Sequence, residues 1–284
     1  MAELYEFLEE PDMTLPVLLI HLDGWIDAGL AAANAMGTIL EDLDTVTVAV
    51  FDTDRLLDHR SRRPTATITD GVVESFTWPT IELRAGHDLD GRSVLFLVGA
   101  EPDHEWRAFS DAVARLAHHL GVDEAFSLGA YPAPVPHTRT GRVIATGRRS
   151  EMVQPIGVAP GRIDVPAGID MAIQQACNAN GVDMTGLWAQ VPHYSAGMPW
   201  PEGALALIDS LRSRGGLRFA TGSLVDDARV TRDRLDELIA NNDEHVAMVR
   251  QLEYQVDSEA GIDDPLPIGD DIVAELEQFL REQE

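Results

Sequence analysis

The sequence predicts an α/β protein, a wound sheet domain with a helical C-terminal extension, and three observations predict it. Apolar runs of strand length alternate with segments of helical period through residues 1–220. Strand-like runs empty into loops carrying Gly, Pro, Asp or His, the places where open α/β sheets put their ligand and partner sites. From Thr221 the composition changes: the last 64 residues hold 18 acids and five arginines and no strand-like run. The expected division is a core domain over 1–220 and an acidic helical extension over 221–284.

The elements follow in order. Residues 17–22, apolar but for His21, suit a buried strand, and the turn after it carries Asp23, Gly24, Trp25 and Asp27 before an alanine-rich helix to Leu40. Asp27 is the expected N-cap of that helix. A second strand is expected over 45–51, then a loop holding Arg60, Arg62, Arg63 and Pro64, then a hairpin over 67–78 around Gly71. The third strand, 93–99, turns through Glu101, Pro102 and Asp103 into a helix that Asp103 is expected to cap and that runs to His119 with Arg107 in its first turns.

A fourth strand over 124–130 leads into Tyr131 and a loop stiffened by Pro132, Pro134 and Pro136, where His137, Thr138, Arg139 and Thr140 follow in a row. A helix ending near Ala179 and a strand over 186–191 come next, the strand opening into a loop with His193, Tyr194 and Trp200 ahead of a helix over 202–211. In the extension, helical spacing runs from Leu224 to Val256, 261–267 is a break, and 270–280 predicts a shorter amphipathic helix.

Composition narrows the function. The net charge of -27 sets 48 acids against 21 basic residues, a field that repels phosphate backbones and anionic lipid surfaces, so neither nucleic acid nor membrane is an expected partner. All 21 basic residues are arginine; lysine is absent. A P-loop needs its lysine on the phosphates and a Schiff-base enzyme needs an amine, so those chemistries are disfavoured. The single cysteine, Cys177, permits no intramolecular disulfide and sits in a helical apolar pattern, as expected of a buried core residue in a reducing cytoplasm. The acidic N-terminus is unlike a signal peptide, and no apolar run is long enough to span a bilayer.

Motifs for cofactors and metals are missing. The nine histidines are scattered, the His118–His119 pair points to different helix faces, and neither G-x-S-x-G nor G-x-G-x-x-G is present, so no metal and no cofactor is expected. The candidates for a functional face are Asp23, Trp25, Asp27, Glu101, Asp103, Arg107, Tyr131, His137, Arg139 and His193, all in loops or helix starts after strands. Each also has a plain structural explanation: Asp27 as a cap, Trp25 as filler under a turn, the 131–141 loop as a stiff connector. As chemistry, paired carboxylates such as Asp23 with Glu101 or Asp103, and Arg107 or Arg139 as anion clamp, would suit a nucleoside-cleaving site.

The segments 21–29, with its G-W-x-D-A-G turn, 99–107 and 129–131 resemble the proteasome assembly chaperone 2 family in its bacterial branch, and the resemblance spans most of residues 10–220. It implies a three-layer α/β/α fold similar to purine nucleoside phosphorylases and, in eukaryotic relatives, a chaperone role in building the proteasome α-ring. Members with that role often end in a hydrophobic-tyrosine-x motif. The residues Leu280, Arg281, Glu282, Gln283 and Glu284 depart from it, which removes the expectation of docking by that route.

Two functions remain in view: a noncatalytic protein-interaction or assembly factor, and a small-molecule enzyme of nucleoside phosphorylase or hydrolase type. Self-association into a closed homo-oligomer is expected because the extension's stripe through Leu235, Leu238, Val246 and Val249 needs burial. The phosphorylase-like resemblance favours a trimer.

Overall fold

The structure, a computed structural model, describes residues 3–261. Eight strands form one sheet: β1 (Tyr5–Phe7), β2 (Val17–Asp23), β3 (Val46–Phe51), β6 (Ile81–His87), β7 (Ser93–Ala100), β8 (Glu124–Ala133), β9 (Val143–Thr146) and β10 (Asp183–Pro192). Between β3 and β6, β4 (Thr65–Thr69) and β5 (Val72–Thr77) make a separate two-stranded hairpin. The helices are α1 (Ala31–Glu41), α2 (Thr53–Leu56), α3 (Trp106–His119), α4 (Ser150–Val153), α5 (Ile169–Ala179), α6 (Pro201–Gly215), α7 (Leu224–Ala240) and α8 (Asp243–Gly261).

The order across the sheet is β1-β3-β6-β7-β2-β8-β10-β9. At its centre β7, β2, β8 and β10 are neighbours and parallel, so their carboxyl ends open on one edge. A purely wound reading needs correction, because β6, β1 and β9 run antiparallel to their neighbours and the sheet is mixed. Those three strands escape the sequence reading: two are short edge strands, and β6 carries Glu82 and Arg84 between its apolar positions.

Two layers of helix cover the sheet. One face of β2, through Leu18 and Ile20, packs under α3 and α5 with Phe109, Val113 and Ile173; the other, through Val17 and Leu19, packs under α1 and α6 with Ala32, Met36, Leu207 and Leu211. The 17–20 run is apolar at every position for this reason. In α1, Ala31, Ala32 and Ala35 are fully buried, and their small side chains let helix and sheet approach closely. Pro201 starts α6 and Gly216, left-handed at φ 61°, ends it with its N–H on the Leu211 carbonyl.

The extension splits into two helices where Asn242 caps α8, its Oδ1 accepting from the Glu244 and His245 N–H groups at 2.9 and 3.3 Å. Leu224 and Leu235 of α7 join the core cluster of α1 and α6, and Val249, Leu252 and Val256 of α8 are buried as well. Of the stripe expected to need a partner, Leu235 and Val249 are thus covered within the chain, Val246 is half-buried and Leu238 stays exposed. The helix expected over 270–280 lies outside the described residues.

Candidate functional site

Where β2 and β7 end side by side, the strand pairing runs on one more step: the Glu101 N–H donates to the Asp23 carbonyl at 2.9 Å. This carries the Glu101 side chain, buried, under the turn after β2. One carboxylate oxygen accepts the Trp25 N–H at 3.0 Å and the other the Ile169 N–H at 2.9 Å. Glu101 therefore ties the 24–26 turn to the start of α5. Gly24 is required here, since a Cβ at that position would lie 2.1 Å from Glu101 Oε2 and 2.8 Å from its Cβ. Trp25 is displayed, with 58% of its surface exposed, on a turn braced by Glu101.

Asp27 does cap α1, although from a distance: a 3-10 turn, Ala28–Leu30, intervenes, and the two carboxylate oxygens accept the Ala32 and Ala33 N–H groups at 2.9 Å each. Burial raises its pKa, against the pull of those two bonds. Behind it His21 is buried, with Nδ1 3.3 Å from the Leu128 carbonyl and Nε2 3.3 Å from Asp23 Oδ1. The latter approach is an ion-pair contact without hydrogen-bond alignment. Burial acts to lower the His21 pKa, yet the contact with Asp23, the charge of Asp27 and the Leu128 carbonyl together raise it. Asp23, itself exposed, is shifted down chiefly by His21.

A small recess opens beneath Trp25, lined among others by His21, Glu101, Gly129, Ile169, Asp170 and Trp188. Asp170, in the first turn of α5, has its pKa pushed up to about 6, first by burial and then by the neighbouring charge of Glu101, against a bond from the Met171 N–H. Arg62 closes the site from the loop before the hairpin, donating to the Glu101 carbonyl at 2.5 Å and standing 4.0 Å from Asp103.

The other candidates sit elsewhere on the same edge or serve structure. Asp103 does not cap α3: the helix starts at Trp106, after Glu105 at φ 53°, and Asp103 instead accepts the Asp58 N–H at 2.8 Å. The left-handed step at Glu105 separates Asp103 from the helix and turns its carboxylate to the 58–62 loop. Arg107 lies exposed in the first turn of α3. Tyr131 accepts from Gln190 at 2.8 Å, and burial raises its pKa. His137, buried, contacts the Tyr194 hydroxyl at 2.8 Å and Asp236 of α7 at 3.0 Å. Arg139 makes a bidentate pair with Asp257 at 2.7 and 2.8 Å and reaches Glu253 at 3.1 Å, so both residues fasten the 134–142 loop to α7 and α8. His193 is exposed beside the Tyr194 ring.

His21, Arg62 and Asp170 are the residues that sequence reasoning did not single out. His21 lies inside an apolar strand run two residues before Asp23, a spacing that puts both on one face, and this was the available signal. Arg62 and Asp170 reach the site from 39 and 69 positions away from Glu101, and no local pattern announces that. Burial pushes the Cys177 thiol up to about 12, so it is a core residue. Among the described residues no group of three or more His, Cys, Asp or Glu is arranged to hold a metal, and no helix is long and apolar enough to cross a membrane.

A mixed sheet between two helical layers, with carboxylate-braced loops at the ends of its central strands and a helical pair docked beside them, defines a three-layer α/β/α protein. The comparisons make the assignment specific. The chain belongs to the PAC2 family, whose sequence profile matches residues 21–239.

A Corynebacterium glutamicum protein of unknown function is similar at 31% identity and TM-score 0.83, over 91% of this chain and 98% of that one. A Mycobacterium tuberculosis proteasome-assembly chaperone homologue is 28% identical at TM-score 0.76, over 82% of this chain and 99% of that one. An archaeal proteasome activator from Pyrococcus furiosus, at 17% identity and TM-score 0.61 over 82% of this chain and 97% of that one, shares the fold. None of the curated proteins matches the chain.

Proposed function

We propose that this protein is a noncatalytic assembly factor that docks a protein partner on the rim around Trp25. The observation that carries the reading is the use made of Glu101: both oxygens of this buried carboxylate are consumed in bracing the turn that displays an exposed tryptophan. Exposed aromatics on pre-organised loops are what interface hot spots require. The nucleoside-enzyme alternative needs an anion clamp; of its two candidates, Arg139 is committed to Asp257 and Glu253, and Arg107 lies exposed on α3 outside the lining of the recess. The similarity to a proteasome-assembly chaperone homologue supports subunits of a multi-subunit protein complex as the class of partner, and the reading includes a cytoplasmic location.

The same reading includes a closed homo-oligomer, a trimer by the phosphorylase-like resemblance. Its support is the β4–β5 hairpin, in which every residue is exposed and Ile68, Val72, Val73 and Phe76 face water, with Trp78 just beyond. A lone two-stranded hairpin is marginal in water and gains from being covered.

The test is capture of native partners by the wild-type chain and by Trp25→Ala. The substitution is expected to reduce capture at least tenfold with an unchanged melting temperature. Equal capture by both would reject Trp25 as the docking residue.

A further inference from the structure

The recess beneath Trp25 has a polarity that bracing the rim leaves unused. About 30 Å³ of free space admits one side-chain head or two waters. Two carboxylates, Glu101 and Asp170, line it, with Asp23 and Asp27 close behind on the His21 side; Glu101 and Asp27 spend both oxygens on main-chain N–H groups. Asp23, at the end of β2, and Asp170, on α5, retain acceptor capacity. Arg62, the arginine that reaches Glu101 from the loop before the hairpin, is occupied by the Glu101 carbonyl.

His21 makes the demand specific. Its Nδ1 faces a carbonyl oxygen and must carry a proton, whereas Nε2 is buried, has no aligned hydrogen-bond partner and stands 3.3 Å from a carboxylate oxygen. Two acceptors at that separation need a proton between them. Either the ring supplies it as an imidazolium or a bound donor brings it.

The group that completes this environment is cationic, compact and rich in N–H. An ammonium satisfies all three, while a planar guanidinium asks for more room. At the mouth, the exposed Trp25 ring suits the alkyl stem behind such a head. The chain itself contains no lysine, so no side chain of a second copy can supply the group.

We infer that the recess beneath Trp25 binds the ε-ammonium of a lysine on a partner protein, with Asp170 and His21 Nε2 receiving its N–H groups and Trp25 packing on its stem. The inference rests on the rim being a protein-docking face. On binding, His21 gives its Nε2 proton to solvent and the ammonium takes its place, so one cation replaces another among Asp23, Asp27, Glu101 and Asp170.

The test is titration of Nα-acetyl-lysine methylamide into the full chain by calorimetry, in two buffers of different ionisation enthalpy. Single-site binding with proton release is expected, and binding should weaken up to tenfold per pH unit as acid holds His21 protonated. Asp170→Asn should weaken binding at least tenfold, and the norleucine and arginine analogues should bind at least tenfold less well. Unchanged affinity in Asp170→Asn, equal binding of the norleucine analogue, or no binding at 50 mM probe would overturn the inference. Should Asp170→Asn fail to fold, His21→Gln decides, because proton release that persists without the imidazole is incompatible with the exchange. Trp25-dependent partner capture without lysine binding overturns the ammonium site and leaves the docking face standing; lysine binding without such capture does the reverse.

Discussion

Replacing Asp170 by Asn should stabilise the protein at neutral pH and do nothing in acid. In the folded chain the carboxyl titrates at about 6, against an ordinary value of 3.8, because burial and the charge of Glu101 disfavour its ionised form. The sign follows from linkage. Between those two values the unfolded chain has already lost the proton that the folded chain keeps, so rising pH costs stability through this window, and the full cost stands above pH 6. A shift of roughly two units corresponds to about 3 kcal/mol, which partial exposure of Asp170 reduces to about 2 kcal/mol.

Asn is nearly isosteric, can still accept from the Met171 N–H, and removes the ionisation. Thermal unfolding of wild type and Asp170→Asn at pH 7.5 and pH 3.5 measures the difference. The expected gain at pH 7.5 is roughly 4–6 °C, shrinking to within 1 °C at pH 3.5, where the Asp170 carboxyl of the wild type is mostly protonated in the folded and the unfolded chain alike. A lower melting point at pH 7.5, or a gain of the same size at both pH values, would show that burial of this carboxyl is not the controlling cost.

Gly24→Ala forces a Cβ to within 2.1 Å of Glu101 Oε2, and either the turn or the buried carboxylate must move; denaturant unfolding should show a loss of about 2–4 kcal/mol and Trp25 fluorescence should shift toward that of free tryptophan. Asp27→Ala removes the acceptor for two helix N–H groups and should cost about 1 kcal/mol, read in the same assay, because relief of its own raised pKa offsets part of the lost cap. If the hairpin is the surface covered by a second copy, Phe76→Glu should lower the mass measured by light scattering to that of one chain, 31.0 kDa, while the circular dichroism spectrum is unchanged. A wild-type chain that is already a monomer at micromolar concentration would end that reading.

What could be read from the sequence was whatever local pattern encodes. The apolar run of β2, the alternation of strand and helix, the amphipathic spacing of α3 and the acidic helical stretch all depend on residues within a few positions of one another, and periodicity reports them directly. The β4–β5 hairpin around Gly71 and the capping of α1 by Asp27 were legible for the same reason. Edge strands as short as β1 and β9 were not, since three or four residues hold too little pattern to stand out from a loop.

The G-W-x-D-A-G turn marked the family, but not the roles of its residues. Glu101 was chosen as a chemical carboxylate and turns out to be a brace; Arg139 was chosen as a clamp and turns out to be a fastening for α8. Those outcomes depend on pairings between residues far apart in sequence: Glu101 with Ile169, His137 with Asp236, Arg139 with Asp257. Sequence alone determined which side chains would stand at the carboxyl ends of the strands, because strand polarity follows from chain order. Only the packing of α5, α7 and α8 against that edge decided which of those groups are spent on structure and which face the recess, because burial, desolvation and hydrogen-bond partnership exist only once distant segments meet.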